Sequence, residues 1–116
     1  MILIIKPVWV DKIFFDKKIW EIRGCDTKKR GVIRIAASGT GMVVGEVILS
    51  HTIPLTKELW DNNIAKHQVQ LSWDQLLERY KHPYAWVLRK PKLYLKPENY
   101  HHPKGAVIWV RESHYD

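Results

Sequence analysis

The chain opens with an unbroken apolar run, Ile2 to Ile5, that stops at Lys6 and Pro7. A continuous run of this length predicts a buried strand. Pro7 suits the first position of a helix, where its missing N–H would have no partner anyway. Trp9, Val10, Ile13 and Phe14 then recur at helical spacing, which predicts a short amphipathic helix over residues 7–16. From Lys18 to Arg23 the period drops to two: Ile19, Glu21 and Arg23 share one parity, Trp20 and Ile22 the other. A charged loop over 24–31 leads to predicted strands at 32–37 and 42–49, joined by the tight connection Ser38-Gly39-Thr40-Gly41. Gly45 inside the second of these marks a bulge or a close approach by another backbone.

Pro54 closes the strand-rich half. Thr56 is placed to cap a helix over 57–62, and Ser72 with Gln75 has the spacing of a capping box for a second helix, which carries Trp73, Leu76, Leu77 and Tyr80 on one face. Lys81-His82-Pro83 ends that helix, because the residue before a proline is pushed out of helical geometry. Residues 84–88 and 106–111 are predicted strands, with a proline-punctuated basic connection between them. Helices grouped between strands, rather than alternating with them, argue an α+β fold: a strongly curved sheet or small barrel with helices packed on it. With 116 residues and no internal repeat or linker, the chain is read as one domain, 1–116.

Charge changes the picture. Nineteen Lys and Arg against twelve Asp and Glu leave +7, and the excess is uneven. Residues 12–34 carry +5 and residues 79–104 carry +6, while 35–78 carry −3. Two basic blocks that the fold brings together would make a face for a polyanion; otherwise they simply solvate the surface. The single cysteine, Cys25, excludes a disulfide framework and a cysteine-pair zinc site. His101-His102 has no carboxylate spaced to complete a metal site, so neither metal nor cofactor is expected. His67, near a helix end, reads as a partner of the helix dipole. No apolar stretch approaches a membrane span and the opening run is too short for a signal peptide, so a cytoplasmic protein without membrane contact is expected.

Three constellations carry candidate chemistry. Lys18, Glu21 and Arg23 on a short strand bind a phosphate or a polar ring edge, or else hold one another in a structural ion pair. A lysine beside a guanidinium loses preference for its protonated form, which helps it act as a base or nucleophile. The Ser38–Gly41 loop allows close ligand approach and an anion-binding nest, or is a hairpin that needs its glycines. Tyr84, Trp86, Tyr94, Tyr100 and Trp109, interleaved with Arg89, Lys90, Lys92 and Lys96, pair rings with cations as base stacking and phosphate neutralisation require, though most such rings serve a core. Trp86 shares a parity with Tyr84 and Leu88 and is expected to face the Lys18 strand as a stacking wall.

These residues resemble a known family. Ile4-Ile5-Lys6-Pro7, then Lys18-x-x-Glu21-x-Arg23, Ala37-Ser38-Gly39-Thr40-Gly41, and the closing Tyr84-Ala85-Trp86 and His102-Pro103-Lys104-Gly105 are similar to short phage and bacterial ASCH domains, relatives of the PUA, YTH and EVE domains. The resemblance spans nearly the whole chain and implies a PUA-like barrel of about five or six strands around a cleft that binds RNA or modified nucleosides. Asp16 stands where the family signature has glycine. The expected ligand-binding set is Lys6, Lys18, Glu21, Arg23, Ser38, Gly39, Thr40 and Trp86. Some ASCH proteins hydrolyse acylated cytidine, using a lysine matching Lys18, a hydroxyl three positions later and a downstream glutamate. Here Glu21 holds the hydroxyl position and no glutamate follows near His67, so that activity does not transfer. The leading expectation is therefore a binding module for RNA, single-stranded nucleic acid or a modified nucleoside. The rival is a small hydrolase on N-acylated nucleosides or RNA, with Lys18 as base or nucleophile, assisted by Glu21 or Tyr84. A protein-interaction module is the third class.

Overall fold

A computed structural model describes residues 1–112. In chain order the elements are β1 (Ile2–Ile5), α1 (Pro7–Phe15), β2 (Trp20–Arg23), β3 (Gly31–Ala37), β4 (Met42–Pro54), α2 (Lys57–Asp61), α3 (Ile64–His67), α4 (Trp73–Arg79), β5 (Tyr84–Asn99) and β6 (Trp109–Val110). The six strands form one curled sheet in the order β2-β5-β4-β3-β1-β6. Only β1 and β3 run parallel; the other neighbours are antiparallel. This is the α+β half-barrel that grouped helices demand.

The sheet buries apolar residues on both faces. Leu3, Ile5, Ile33, Ile35, Val47, Leu49, Trp86 and Leu88 pack with Val10 and Ile13 of α1. On the opposite side Trp20, Ile22, Ala85 and Val87 meet Leu55, Trp60 and Leu76, which come from the helical segment between β4 and β5. The predicted caps are present: Thr56 accepts from the Leu59 N–H, and Ser72 and Gln75 form a complete capping box. Helix α3 and its left-handed cap at Gln68 (φ 57°) have no counterpart in the sequence reading. No helix of the described residues is long and apolar enough to cross a membrane.

The largest departure from expectation is in β5. The segment read as a proline-punctuated connection is strand as far as Asn99, paired with a β4 that itself runs on to Pro54. Beyond Val87 only β4 pairs with β5, because β2 is four residues long. Pro91 and Pro97 therefore lie on an open edge, where a missing N–H costs no ladder bond. The closing strand is correspondingly shorter than expected, Trp109–Val110, and its neighbour Glu112 is tied to Arg34. Arg34 also pairs with Glu98 at 3.1 Å and donates to Tyr94 Oη, which donates to Glu46.

Gly45 is a close approach, as expected from its place in β4. A Cβ there would lie 2.5 Å from the Lys92 carbonyl oxygen and 2.7 Å from Phe14 Cζ, beside an irregularity in the β4–β5 register. Backbone cannot yield as a side-chain tip can. Gly45→Ala is expected to destabilise the fold by roughly 1–3 kcal/mol, read as a lower urea midpoint with unchanged slope.

Candidate functional site

Helix α1 ends abruptly. Asp16 caps it at φ −121°, Lys17 takes the left-handed conformation at φ 60°, and the N–H groups of Asp16 and Lys18 both reach the Lys12 carbonyl at 3.0 Å. The position where the family signature has glycine thus needs no special dihedral; the strained residue is the next one. The reversal leaves Lys18 ahead of β2 rather than inside it, so strand parity does not decide where its side chain goes. The side chain turns inward and is 2% exposed. Its ammonium donates to the His67 carbonyl and lies 4.8 Å from the centre of the Trp9 ring. Burial lowers the Lys18 pKa from 10.5 to about 8, against the opposing pull of Glu21 and with a further push from Lys12 and Arg23.

His67 is no surface partner of a helix dipole: it is fully buried. Its ring lies flat on Trp60, centroids 3.6 Å apart. Nδ1 accepts the Val69 N–H at 3.0 Å and Nε2 is 2.9 Å from the Trp60 carbonyl. Those two contacts together fit the neutral ring with its proton on Nε2. Burial holds its pKa below the usual value, with the Trp60 carbonyl opposing and Lys18 adding to the drop. The carbonyl that receives Lys18 is thus carried by a residue locked on both ring nitrogens.

Glu21 and Arg23 share a face, as period two requires, and form an ion pair. Arg23 Nη2 and Nε meet the same oxygen, Glu21 Oε2, at 2.9 and 3.0 Å, and Nη2 also donates to the Ile4 carbonyl at 2.9 Å. Glu21 Oε1 has no partner among the described residues. Since no buried side-chain oxygen there is left unbonded, Oε1 opens on the cleft described next. Trp86 sits directly opposite Glu21 in the β2–β5 register but presents no wall to a ligand. It is fully buried, stacked on Trp109 at 5.6 Å, with Arg23 over its ring and its N–H donated to the Cys25 carbonyl. The expectation of a stacking Trp86 is corrected: its indole backs the guanidinium from inside the core.

These groups edge a cleft of about 620 Å³. Of the residues expected to bind a ligand, Lys6, Lys18, Glu21, Arg23, Ser38 and Gly39 line it; Thr40 and Trp86 do not. Thr40 Oγ1 is spent on its own turn, donating to the Ala37 carbonyl and accepting the Met42 N–H. Tyr84, expected to assist a hydrolase, faces Arg23 across the ladder and packs on the core rather than lining the cleft. The sequence reading missed Trp9, Arg79 and Tyr80 and left Tyr100, which it named among the candidate stacking rings, out of the ligand-binding set; these supply the aromatic walls and a fourth cation, and His102 also lines the cleft. Helical spacing assigned Trp9 and Tyr80 to packing, and no local pattern marks a residue that is both packing and lining. Tyr100 is held through its hydroxyl by His102 Nδ1 at 2.7 Å, and His102 Nε2 in turn meets the Ala106 carbonyl. Four cations and one carboxylate thus face a partly aromatic space. Among the described residues no three of His, Cys, Asp and Glu converge as metal ligands.

The same architecture occurs in solved structures. The ASCH protein of Zymomonas mobilis and two of its point mutants superpose on this chain with TM-scores of 0.71, 0.71 and 0.70, over 96% of this chain and 87–89% of theirs. The fold is that of an ASCH domain. Sequence identity in these superpositions is 20%, no protein-family model matches the chain, and no curated protein matches its sequence. Within this fold Glu21 and Arg23 lie on β2, at one edge of the half-barrel, and Lys18 just ahead of it.

A buried lysine makes stability depend on pH with a definite sign. Between about pH 8 and 10.5 the unfolded chain keeps a proton on Lys18 that the folded chain has lost, so stability from this group rises with pH across that window. Comparing wild type with Lys18→Met by urea unfolding at several pH values, wild type is expected to gain relative stability, by about 1–3 kcal/mol, as pH climbs through it.

Proposed function

We propose that the protein binds a nucleobase in this cleft, presented by single-stranded RNA or by a free modified nucleoside. The observation that carries this reading is the meeting, in one space, of aromatic side chains, a carboxylate with an unpartnered oxygen and four cations. A base offers a π-face to Trp9, Tyr80 or Tyr100, an amino group to Glu21 Oε1, and ring acceptors to Lys18. Lys6 and Arg79, together with the backbone of Ser38 and Gly39, are suited to an adjoining phosphate. Arg23 is largely spent on Glu21 and Ile4, so its part is to hold the carboxylate rather than to grip the ligand. The volume lies within the range of small-molecule sites, about 300–1,000 Å³. The ASCH-like fold and the resemblance of the sequence to RNA-binding PUA-like domains support the same reading.

The test is fluorescence anisotropy with a short labelled single-stranded RNA across a salt series. Affinity is expected to fall linearly in log–log form, by about 0.7 of a decade per decade of salt for each phosphate contacted. Trp9→Leu is expected to weaken binding by about 1–3 kcal/mol without changing that slope, whereas Arg79→Ala is expected to flatten it. Absence of binding at low salt, or binding indifferent to salt, removes the polyanion reading.

A second reading is supported by the Lys18 amine itself, lowered to about 8 beside a carboxylate. In it the protein is a small hydrolase of N-acylated nucleosides or of RNA, with Lys18 as the base. Turnover of a panel of acylated nucleosides is then expected to vanish in Lys18→Ala. An unchanged rate in that variant takes Lys18 out of the reaction.

A further inference from the structure

Lys18 is a desolvated amine at the edge of a cleft, and its surroundings suit one kind of covalent chemistry better than another. One N–H is committed to the His67 carbonyl, and the Trp9 ring covers the nitrogen from one side. Lys18 lines the cleft, although it is only 2% exposed. Glu21 is the one carboxylate among the described residues that lines the same cleft, and its charge bears directly on Lys18. Arg23 clamps Oε2 and leaves Oε1 to move a proton. A lysine attacking an acyl group would end as a stable amide, and cleaving that amide would need a second base and a leaving-group acid. An aldehyde asks only for an amine and one proton carrier, and the reaction reverses.

We propose that Lys18 captures an aldehyde-bearing ligand in this cleft as a reversible imine, with Glu21 carrying the proton. The amine lone pair adds to the carbonyl carbon while the C=O pair moves to oxygen. Glu21 makes neither a hydrogen bond nor an ion pair with Lys18, so a water in the cleft relays the proton from nitrogen to Glu21 Oε1, which returns it to that oxygen, giving a carbinolamine. The C–O bond then breaks, the nitrogen lone pair closes the C=N bond, and the oxygen leaves as water with the second nitrogen proton. No oxidant or reductant enters. The aromatic surroundings limit water at the C=N bond and so favour the imine. This inference rests on the nucleobase reading only for the carrier of the aldehyde, which would be a formyl group on a base. Lys18 and Glu21 then act as catalytic residues, and His67, which holds the amine through its carbonyl, is a positioning residue.

The experiment is imine trapping on the intact chain with cyanoborohydride, read by intact mass and peptide mapping, with two probes: propanal and a formyl-substituted uridine. At about pH 7.5 Lys18 is expected to be labelled roughly tenfold or more faster than any of the twelve other lysines, with the N-terminal amine resolved by mapping. Glu21→Gln is expected to slow labelling of Lys18 by about tenfold and to leave labelling of Lys6 unchanged, a difference that a loosened fold would not produce. Labelling of Lys18 at the rate of the exposed lysines overturns the proposal, and does so even if the protein binds RNA as proposed above. Selective labelling by propanal but not by the nucleoside supports capture while removing a formyl-bearing base as the carrier.

Discussion

The guanidinium of Arg23 is the contact on which both sheet and site depend. The strand order leaves β2 at one edge and β1 next to the other, with no backbone ladder between them. Arg23 bridges that gap by donating to the Ile4 carbonyl, at 2.9 Å, while the same group forks onto Glu21. Arginine suits this task better than lysine, because a planar fork of donors satisfies two acceptors in fixed directions and still offers a flat face for stacking. The flat face lies over Trp86, whose other neighbour is the Trp109 ring of β6. Lys29 covers Trp109 in turn. The stack runs from Arg23 at the cleft through Trp86 and Trp109 to Lys29, so the pairing of β1 with β6 and the pose of Glu21 share one set of contacts.

Placing an amine, a carboxylate and a guanidinium in a nearly dry space costs free energy that ordinary packing does not. Removing a charge from water is expensive unless it finds partners, and a single partner seldom offsets the loss. The three side chains divide the problem. Arg23 neutralises Glu21 and borrows a backbone carbonyl; Lys18 takes another carbonyl and an aromatic face. Lys18 has the least complete compensation, and burial disfavours its charged form. The carbonyl that it uses belongs to α3, a single turn held by a buried neutral histidine. A short helix with little packing of its own is therefore kept in place by the polar contacts it provides to the site.

Much of this was legible in the sequence. Period two put Glu21 and Arg23 on one face, and they are paired; Gly45 was marked as a close approach, and a Cβ there collides with backbone. The Thr56 cap, the Ser72–Gln75 capping box and the grouping of helices between strands gave the α+β class. The losses have physical causes. Trp86 was placed on the correct face, but parity cannot say whether a face is covered, and Trp109 covers it from a segment more than twenty residues away. The prolines of β5 spoke against a strand because their tolerance depends on an edge, which is a property of the whole sheet. Thr40 looked like a ligand hydroxyl and closes its own turn. His67 carried no pattern that separates a buried ring from an exposed one.

The two basic blocks do meet, though only in part. Lys18 and Arg23 come from the first and Arg79 from the second, and with Lys6 these are the four cations that line the cleft out of nineteen in the chain. Most of the remainder lie elsewhere, among them the exposed Arg89, Lys90, Lys92 and Lys96 along the free edge of β5, in a molecule 44 Å long. Exposed charges at that range act through a screened field and bear on how fast a polyanion arrives. Under the proposed function the cleft would act at contact distance, where one open carboxylate oxygen among cations disfavours a ligand that brings no donor to it. In that proposal attraction and discrimination are separate: the first is dispersed and salt-sensitive, the second confined to residues that the Arg23 clamp holds in register.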